Sequence, residues 1–345
     1  MIRQVCFAAL GALAAILVAA APAAAQAPAT FDGLRVTFCG TSGPLPVRDR
    51  AKPCVAVQAG DQLYLVDVGP EATENLMLWR LPIAKARAVF LTHLHSDHIG
   101  EVGEFNLQSW VAGRPAPLAL VGPAGVEKVA AGFNLAYALD HGYRRAHHEH
   151  GAFKLPLPAG ELKARVVRPR GPTAQAWRDG ALTVTAIVVA HEPVTPAFAY
   201  RFDYKGRSVV ISGDTRKWPG LAAGAKGADV LIHEAQNDAM TRQMAQALTA
   251  TGNPRMSSLI TDTLTYHTTP VEAAEVARAA GVKALVLYHL TQAGLPFFSP
   301  DAFTRGIAAV GPLDWRLASE GMTIDLPAGG TEIRYGQLSP AGSSR

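Results

Sequence analysis

Short apolar runs separated by glycine and polar turns set the rhythm of the chain. In the first half, "LRVTF", "CVAVQA", "QLYLVDV" and "RAVFLT" are brief, rich in β-branched residues and bounded by turn formers, so they predict strands. Helical patterns follow in "EATENLMLWRL", in "EVGEFNLQSWVAG" after His98, and in "GVEKVAAGFNLAYAL" after the strand "PLALVG". Residues 140–160 show no period and are expected to be irregular. The second half continues with strands at "ELKARVVRP", "LTVTAIVVAH", "FAYRFDY", "RSVVISGD" and "ADVLIHEA", then a mostly helical stretch over residues 238–266. Thr269-Pro270-Val271-Glu272 predicts a helix start with a Thr cap, Pro at the first position and a capping box. That helix should run to Gly281, with "KALVLYH" as the last buried strand. No linker and no fixed-period repeat interrupts this order, so residues 26–345 are expected to form one domain: two β-rich halves with helices outside.

The first 25 residues break the rhythm. Arg3 precedes the apolar run "VCFAALGALAAILVAAA", and Ala23-Ala24-Ala25 offers the small residues at which a signal peptidase cuts. These marks predict a secretory signal peptide over residues 1–25, and hence a periplasmic or secreted protein beginning near Gln26. An uncleaved anchor is the competing reading, because the run approaches spanning length. No later segment is comparably apolar, so no membrane association is expected once the leader is gone.

Composition adds limits. With 345 residues, 49% hydrophobic and 17% charged, and a formal net charge of +4, the chain is of ordinary globular type. Its arginines (Arg48, Arg50, Arg165, Arg168, Arg170) are scattered, so no basic arm argues for nucleic acid. Beyond the leader stand two cysteines, Cys39 and Cys54, at the end and the start of adjacent strands. An oxidising compartment permits a disulfide between them; two small buried apolar side chains are the alternative. No later cysteine is available as ligand or nucleophile.

Candidate chemistry gathers at one kind of place, the carboxyl end of an apolar strand. His93 and His95 follow "VFL", His191 follows "AIVVA", Asp214 follows "VVISG", His233 follows "VLI", and His289 follows "LVLY". His93 and His95, two apart in an extended segment, project to one side and can grip one cation. Asp97 and His98 lie just beyond and reach a second. Neutral imidazoles with carboxylates suit zinc, with Mn²⁺ or Fe²⁺ as substitutes. Each ion still lacks a ligand and the pair lacks a bridge; His191, Asp214 and His289 supply one imidazole per ion and a bridging carboxylate.

On these residues the chain resembles the metallo-β-lactamase fold superfamily. "HLHSDH" matches the H-x-H-x-D-H signature, and the later His, Asp and His fall in the family's order. Within the superfamily the chain is similar to the ribonuclease Z and arylsulfatase-like branch. The matching stretches are "FCGTSGPLPVRDR", "LVDVG", "SGDT", "HEA" and the "YHTTP"-to-"YHL" tail, so the resemblance covers residues 34–326. It implies a four-layer αββα sandwich with two divalent metal ions at one edge of the packed sheets. His93, His95 and His191 would hold the first ion, Asp97, His98 and His289 the second, and Asp214 would bridge. A hydroxide between the ions would be the nucleophile, with Asp97 also orienting it. His267, held by Glu234, would protonate the leaving group. His233 is expected behind the ligands, where it helps to orient them.

The remaining polar residues are weaker candidates. His147, His148, Glu149 and His150 are expected to be a solvated loop rather than another metal site, and the turn at residues 40–43 to be structural. Arg50, Tyr143 and Arg144 are candidate contacts for an anionic or aryl substrate. Together these features predict an exported dinuclear hydrolase of phosphodiester or aryl sulfate esters acting on a small molecule. A ribonuclease Z-like endoribonuclease is the first alternative, disfavoured by the leader and by the lack of a tRNA-gripping arm. A lactonase or thioesterase, and a non-catalytic metal-binding protein, stand behind it; homodimerisation stays open. Asp214 at the bridging position and the lack of a later Cys ligand argue against a true β-lactamase.

Overall fold

The computed structural model describes residues 31–339; the expected signal peptide over residues 1–25, and the start near Gln26, lie outside them. Six strands come first: β1 (Gly33–Gly40), β2 (Cys54–Ala59), β3 (Gln62–Val66), β4 (Ala86–Phe90), β5 (Leu118–Gly122) and β6 (Leu162–Val166). Seven more build a second sheet: β7 (Thr173–Asp179), β8 (Leu182–His191), β9 (Val194–Tyr204), β10 (Arg207–Ile211), β11 (Val230–Ala235), β12 (Ala284–Leu290) and β13 (Asp314–Leu317). Then β14 (Met322–Pro327) and β15 (Arg334–Gln337) return to the first sheet, giving the orders β15-β14-β1-β2-β3-β4-β5-β6 and β13-β12-β11-β10-β9-β8-β7.

Period-two alternation explains why the strands read as continuous apolar runs: both faces are covered. In β9, Phe198, Tyr200 and Phe202 enter the core between the sheets, while Ala197 and Ala199 face the helices. In β12, Ala284, Val286 and Tyr288 point inward and Leu285 and Leu287 outward. The outer layers are helical: α1 (Ala72–Leu78), α2 (Ser96–Ile99), α3 (Val102–Val111) and α4 (Val126–His147) belong to the first half. In the second half come α5 (Pro219–Gly224), α6 (Asp238–Ala250), α7 (Pro254–Asp262), α8 (Pro270–Ala280) and α9 (Pro300–Phe303). The result is the αββα sandwich expected from the sequence, and none of the described helices is long and apolar enough to cross a membrane.

Local expectations hold where the signals were chemical. The capping box opens α8, with Thr269 and Glu272 bonded reciprocally, and Gly281 ends it at φ 65°. Of the two readings left open for Cys39 and Cys54, the disulfide is the one formed, and it ties the end of β1 to the start of β2. The mostly helical stretch expected over residues 238–266 is present as α6 and α7, which part at Gly252-Asn253-Pro254, where Asn253 caps α7. One expectation needs correction in part. Residues 140–160 are irregular only in part: α4 continues to His147, with buried His141 packed on Trp110, and turns and irregular chain fill residues 148–156 before a 3₁₀ turn at Leu157–Gly160.

Candidate metal centre

Four strand exits converge on one edge. Beyond β4 the chain is pinned to both sheets, by Leu91 N–H on Val121 and by Phe198 N–H donating to the Thr92 carbonyl at 2.9 Å. His93 is thereby buried, and His95 precedes the single turn of α2 that carries Asp97 and His98. From the second sheet, β8 ends on His191, β10 exits through Gly213 to Asp214, and β12 brings His289. Gly213 sits at φ 59°, and a Cβ there would meet Thr92 Cβ at 2.6 Å and the Phe198 carbonyl at 2.8 Å. No other residue lets Asp214 approach this closely.

Asp214 is the pivot. Its Oδ1 lies 3.4 Å from Nε2 of His98 and 3.4 Å from Nε2 of His289; its Oδ2 lies 3.9 Å from His93 Nε2 and 4.0 Å from His191 Nε2. Asp97 closes the first side, with Oδ2 3.6 Å from both His98 and His289. Tetrahedral zinc with bonds of about 2.0–2.2 Å separates its ligand atoms by about 3.3–3.6 Å, close to these spacings. Nε2 of His98, His191 and His289, and Oδ1 of Asp214, are buried without a hydrogen-bond partner. Buried polar atoms are rarely left so; a cation between them satisfies all at once. The donors fall into two groups, His93, His95, His191 with Asp214, and Asp97, His98 with His289.

Protonation suits this use. Burial, with neighbouring imidazoles, lowers the His93 pKa well below normal, and burial lowers His95 and His191 too, which leaves their lone pairs free. Burial opposes charge on His98, but Asp214, Asp97 and Asp67 outweigh it and hold its pKa well above normal. A metal at that side displaces a proton. Burial would raise Asp214, yet His289 and His98 hold it well below the usual carboxylate range.

A supporting residue escaped the sequence reading. Asp67, at the end of β3 and buried, takes the Thr92 N–H at 2.9 Å, the Thr92 hydroxyl at 2.8 Å and His98 Nδ1 at 2.8 Å. A carboxylate only accepts, so Nδ1 of His98 carries the hydrogen and Nε2 faces the centre. His191 is set the same way by the Tyr266 carbonyl, 3.1 Å from Nδ1. The signal was present: an acid ending an apolar strand, in "LVDVG", without a reason to be buried.

His267 and Glu234 form a second polar unit beside the first. Glu234 is wholly buried; its Oε1 lies 3.0 Å from His267 Nδ1 and also accepts from the N–H groups of Thr215 and Thr268, each at 3.2 Å. Burial disfavours an imidazolium at His267, but Glu234 outweighs it and pushes the pKa up to about 9. His267 also groups with Asp214 and His289, so this protonated ring stands at the edge of the donor cluster.

The model of the beta-lactamase superfamily domain matches residues 63–290 of the chain. The chain belongs to the metallo-β-lactamase superfamily. Ribonuclease Z of Mycobacterium bovis (strain BCG / Pasteur 1173P2) is 36% identical over 263 residues, 75% of this chain and 87% of that protein, which sets the chain in the ribonuclease Z branch. Among solved structures, the metallo-beta-lactamase fold protein YhfI from Bacillus subtilis superposes with a TM-score of 0.60 at 23% identity, covering 85% of this chain and 98% of that one. Human tRNase Z, short form, gives a TM-score of 0.57 at 21% identity, covering 85% and 99%. Both share its fold.

In this metallo-β-lactamase superfamily chain, then, His93, His95, Asp97, His98, His191, Asp214 and His289 meet, with His267 and Glu234 beside them, and the remaining candidates lie elsewhere. Tyr143 and Arg144 are not brought to the centre. Gly125, at the start of α4, packs on Leu94, and at 1.5 Å per residue Tyr143 lies roughly 25 Å farther along the helix. Being helical, this segment has no freedom to fold back; Tyr143 is exposed and Arg144 pairs with Asp140 at 2.7 Å. His147, His148, Glu149 and His150 are exposed at the far end of α4. Arg50 faces inward, donating to the Thr41 hydroxyl at 2.6 Å and the Ala318 carbonyl at 3.0 Å, and so braces a loop. His233 bonds only to the Glu234 carbonyl at 2.8 Å; it lies on the face of β11 opposite Glu234 and orients no ligand. The turn at residues 40–43 is more than a connection, since Gly43 rests against His289.

Proposed function

We propose that the protein is a dinuclear phosphodiesterase of the ribonuclease Z type, with RNA as its substrate. The observation that carries this is the His267–Glu234 pair, 3.0 Å apart, at the edge of the cluster formed around Asp214. Two donor groups sharing the two oxygens of one carboxylate support two ions, and the imidazole and carboxylate donors suit Zn²⁺. Divalent ions held there supply Lewis-acid charge to phosphoryl oxygens and acidify water.

The rest falls to the chain's own residues. His267 carries a proton and places it where the departing ribose oxygen needs one, so that oxygen leaves as an alcohol. Glu234 keeps the ring charged and fixes its direction, and the Thr215 and Thr268 N–H groups in turn fix Glu234. Asp97 faces His98 and His289 and is positioned to accept a hydrogen from attacking water. The relatives named Ribonuclease Z favour RNA over the small aryl sulfate or phosphate esters expected from the sequence.

The discriminating variant is His267→Ala. It should keep its metals, lose about 100-fold or more on RNA, whose leaving alkoxide is poor, and lose far less on p-nitrophenyl phosphodiesters. Equal losses on both substrates would refute the acid role.

Export remains part of the proposal. The leader-like start and the Cys39–Cys54 disulfide support an oxidising compartment, so the RNA would be met outside the cytoplasm. Mass spectrometry of the protein isolated from its cell should find the chain starting near Gln26; a full-length chain in the cytosolic fraction overturns this part.

A further inference from the structure

Beside His267, a cavity opens between the loop after β1 and the α6–α7 pair. Leu45, Met244 and Ile260 give it apolar walls. Among the described residues, no Lys, Arg, Asp or Glu lines it, so it does not suit a phosphate. Two polar groups break the apolar surface. Gln236 is 2% exposed and its Nε2 has no hydrogen-bond partner; Thr291 is 8% exposed and its hydroxyl has none either. Unsatisfied buried donors are destabilising, and a ligand acceptor brought to them relieves that penalty.

We infer that this cavity receives the uncharged ring of the leaving group, a flat ring that carries a hydrogen-bond acceptor. In RNA this is the base of the departing nucleotide. The inference rests on the proposed role of His267: if it protonates the leaving oxygen, whatever that oxygen carries extends past the imidazole into this space. Apolar walls cover the ring faces, and Gln236 Nε2 with Thr291 Oγ1 meets a ring carbonyl. An aryl ester presents the same apolar ring without that carbonyl, so Gln236 separates the two substrate classes while the walls accept both.

The test measures ring binding directly. Uridine and p-cresol are titrated by NMR into zinc-loaded protein, wild type and variants. Ile260→Trp, which fills the cavity, should weaken both rings by about tenfold or more, and Leu45→Trp does the same from the opposite wall should the first variant fold poorly. Gln236→Leu should weaken uridine by about tenfold and leave p-cresol within about twofold. Uridine affinity unchanged in both filled variants overturns the inference, as does wild type that binds neither ring below about 10 mM. A wild type that binds the rings as described but leaves RNA intact refutes the substrate reading alone; RNA hydrolysis with ring binding indifferent to the variants refutes the cavity alone.

Discussion

At the scale of single residues, the centre is a set of side chains that are poor core material and are buried all the same. "THLHSDHIG" announced itself because such crowding has no structural excuse. Asp67 did not, because one acid at a strand end passes for a turn residue. Its three bonds, to both donors of Thr92 and to Nδ1 of His98, make it the group that aims His98. Asp67→Asn keeps the shape but can present an N–H toward Nδ1, which favours the wrong tautomer. Metal affinity on the His98 side should fall about 10- to 100-fold, read by equilibrium dialysis against a zinc chelator. Unchanged affinity in a folded variant would show that β12 and α2 alone aim the ring. Gln236, Ile260 and Leu45 were illegible for the opposite reason: each looks like ordinary packing until the cavity between them is seen.

At the scale of elements, apolar runs with both faces covered were readable as strands, and the capped start of α8 as a helix start. Three of the four edge strands were not: β7, β13 and β15 are polar and partly exposed, so nothing in their pattern separates them from loops. The same holds for the far half of α4, where buried His141 packs on Trp110, a contact that no local window contains. The loop between β1 and β2 is held by such distant partners too. Glu320 accepts from Thr41 N–H at 3.1 Å and its hydroxyl at 3.0 Å, and Leu290 N–H reaches the Thr41 carbonyl at 2.8 Å, one residue past His289. Burial pushes the Glu320 pKa up from 4.5 to about 7, against the Thr41 bonds and the Arg50 charge. A carboxyl with a raised folded pKa stabilises below its unfolded value, and this contribution fades as pH climbs through the folded value. Between pH 4.5 and somewhat above 7, wild type should therefore lose about 2–3 kcal/mol of stability that Glu320→Gln does not lose. Urea melts of the two proteins across that range measure the difference, and parallel curves would place the Glu320 proton elsewhere.

At the scale of the molecule, the donors are divided between the sheets. His93, His95, Asp97 and His98 follow β4 of the first sheet, whereas His191, Asp214 and His289 follow β8, β10 and β12 of the second. Each donor group draws on both sheets, since Asp214 and His191 complete the first and His289 the second. A bound cation therefore staples the sandwich across its core edge, and removing it leaves carboxylates and imidazoles buried with unmet bonding capacity. Ions that bind only the folded chain stabilise it by mass action, by about 4 kcal/mol at a free concentration a thousand times Kd. For a domain of this size that corresponds to a Tm fall of roughly 10 °C on chelation. The loss should be restored by Zn²⁺ and should vanish in Asp214→Ala, which no longer joins the two groups. A calorimetric trace of wild type indifferent to chelator, with metal shown by mass analysis to have left, would mean that the sheets are locked by apolar packing alone and that the centre adds chemistry without adding stability.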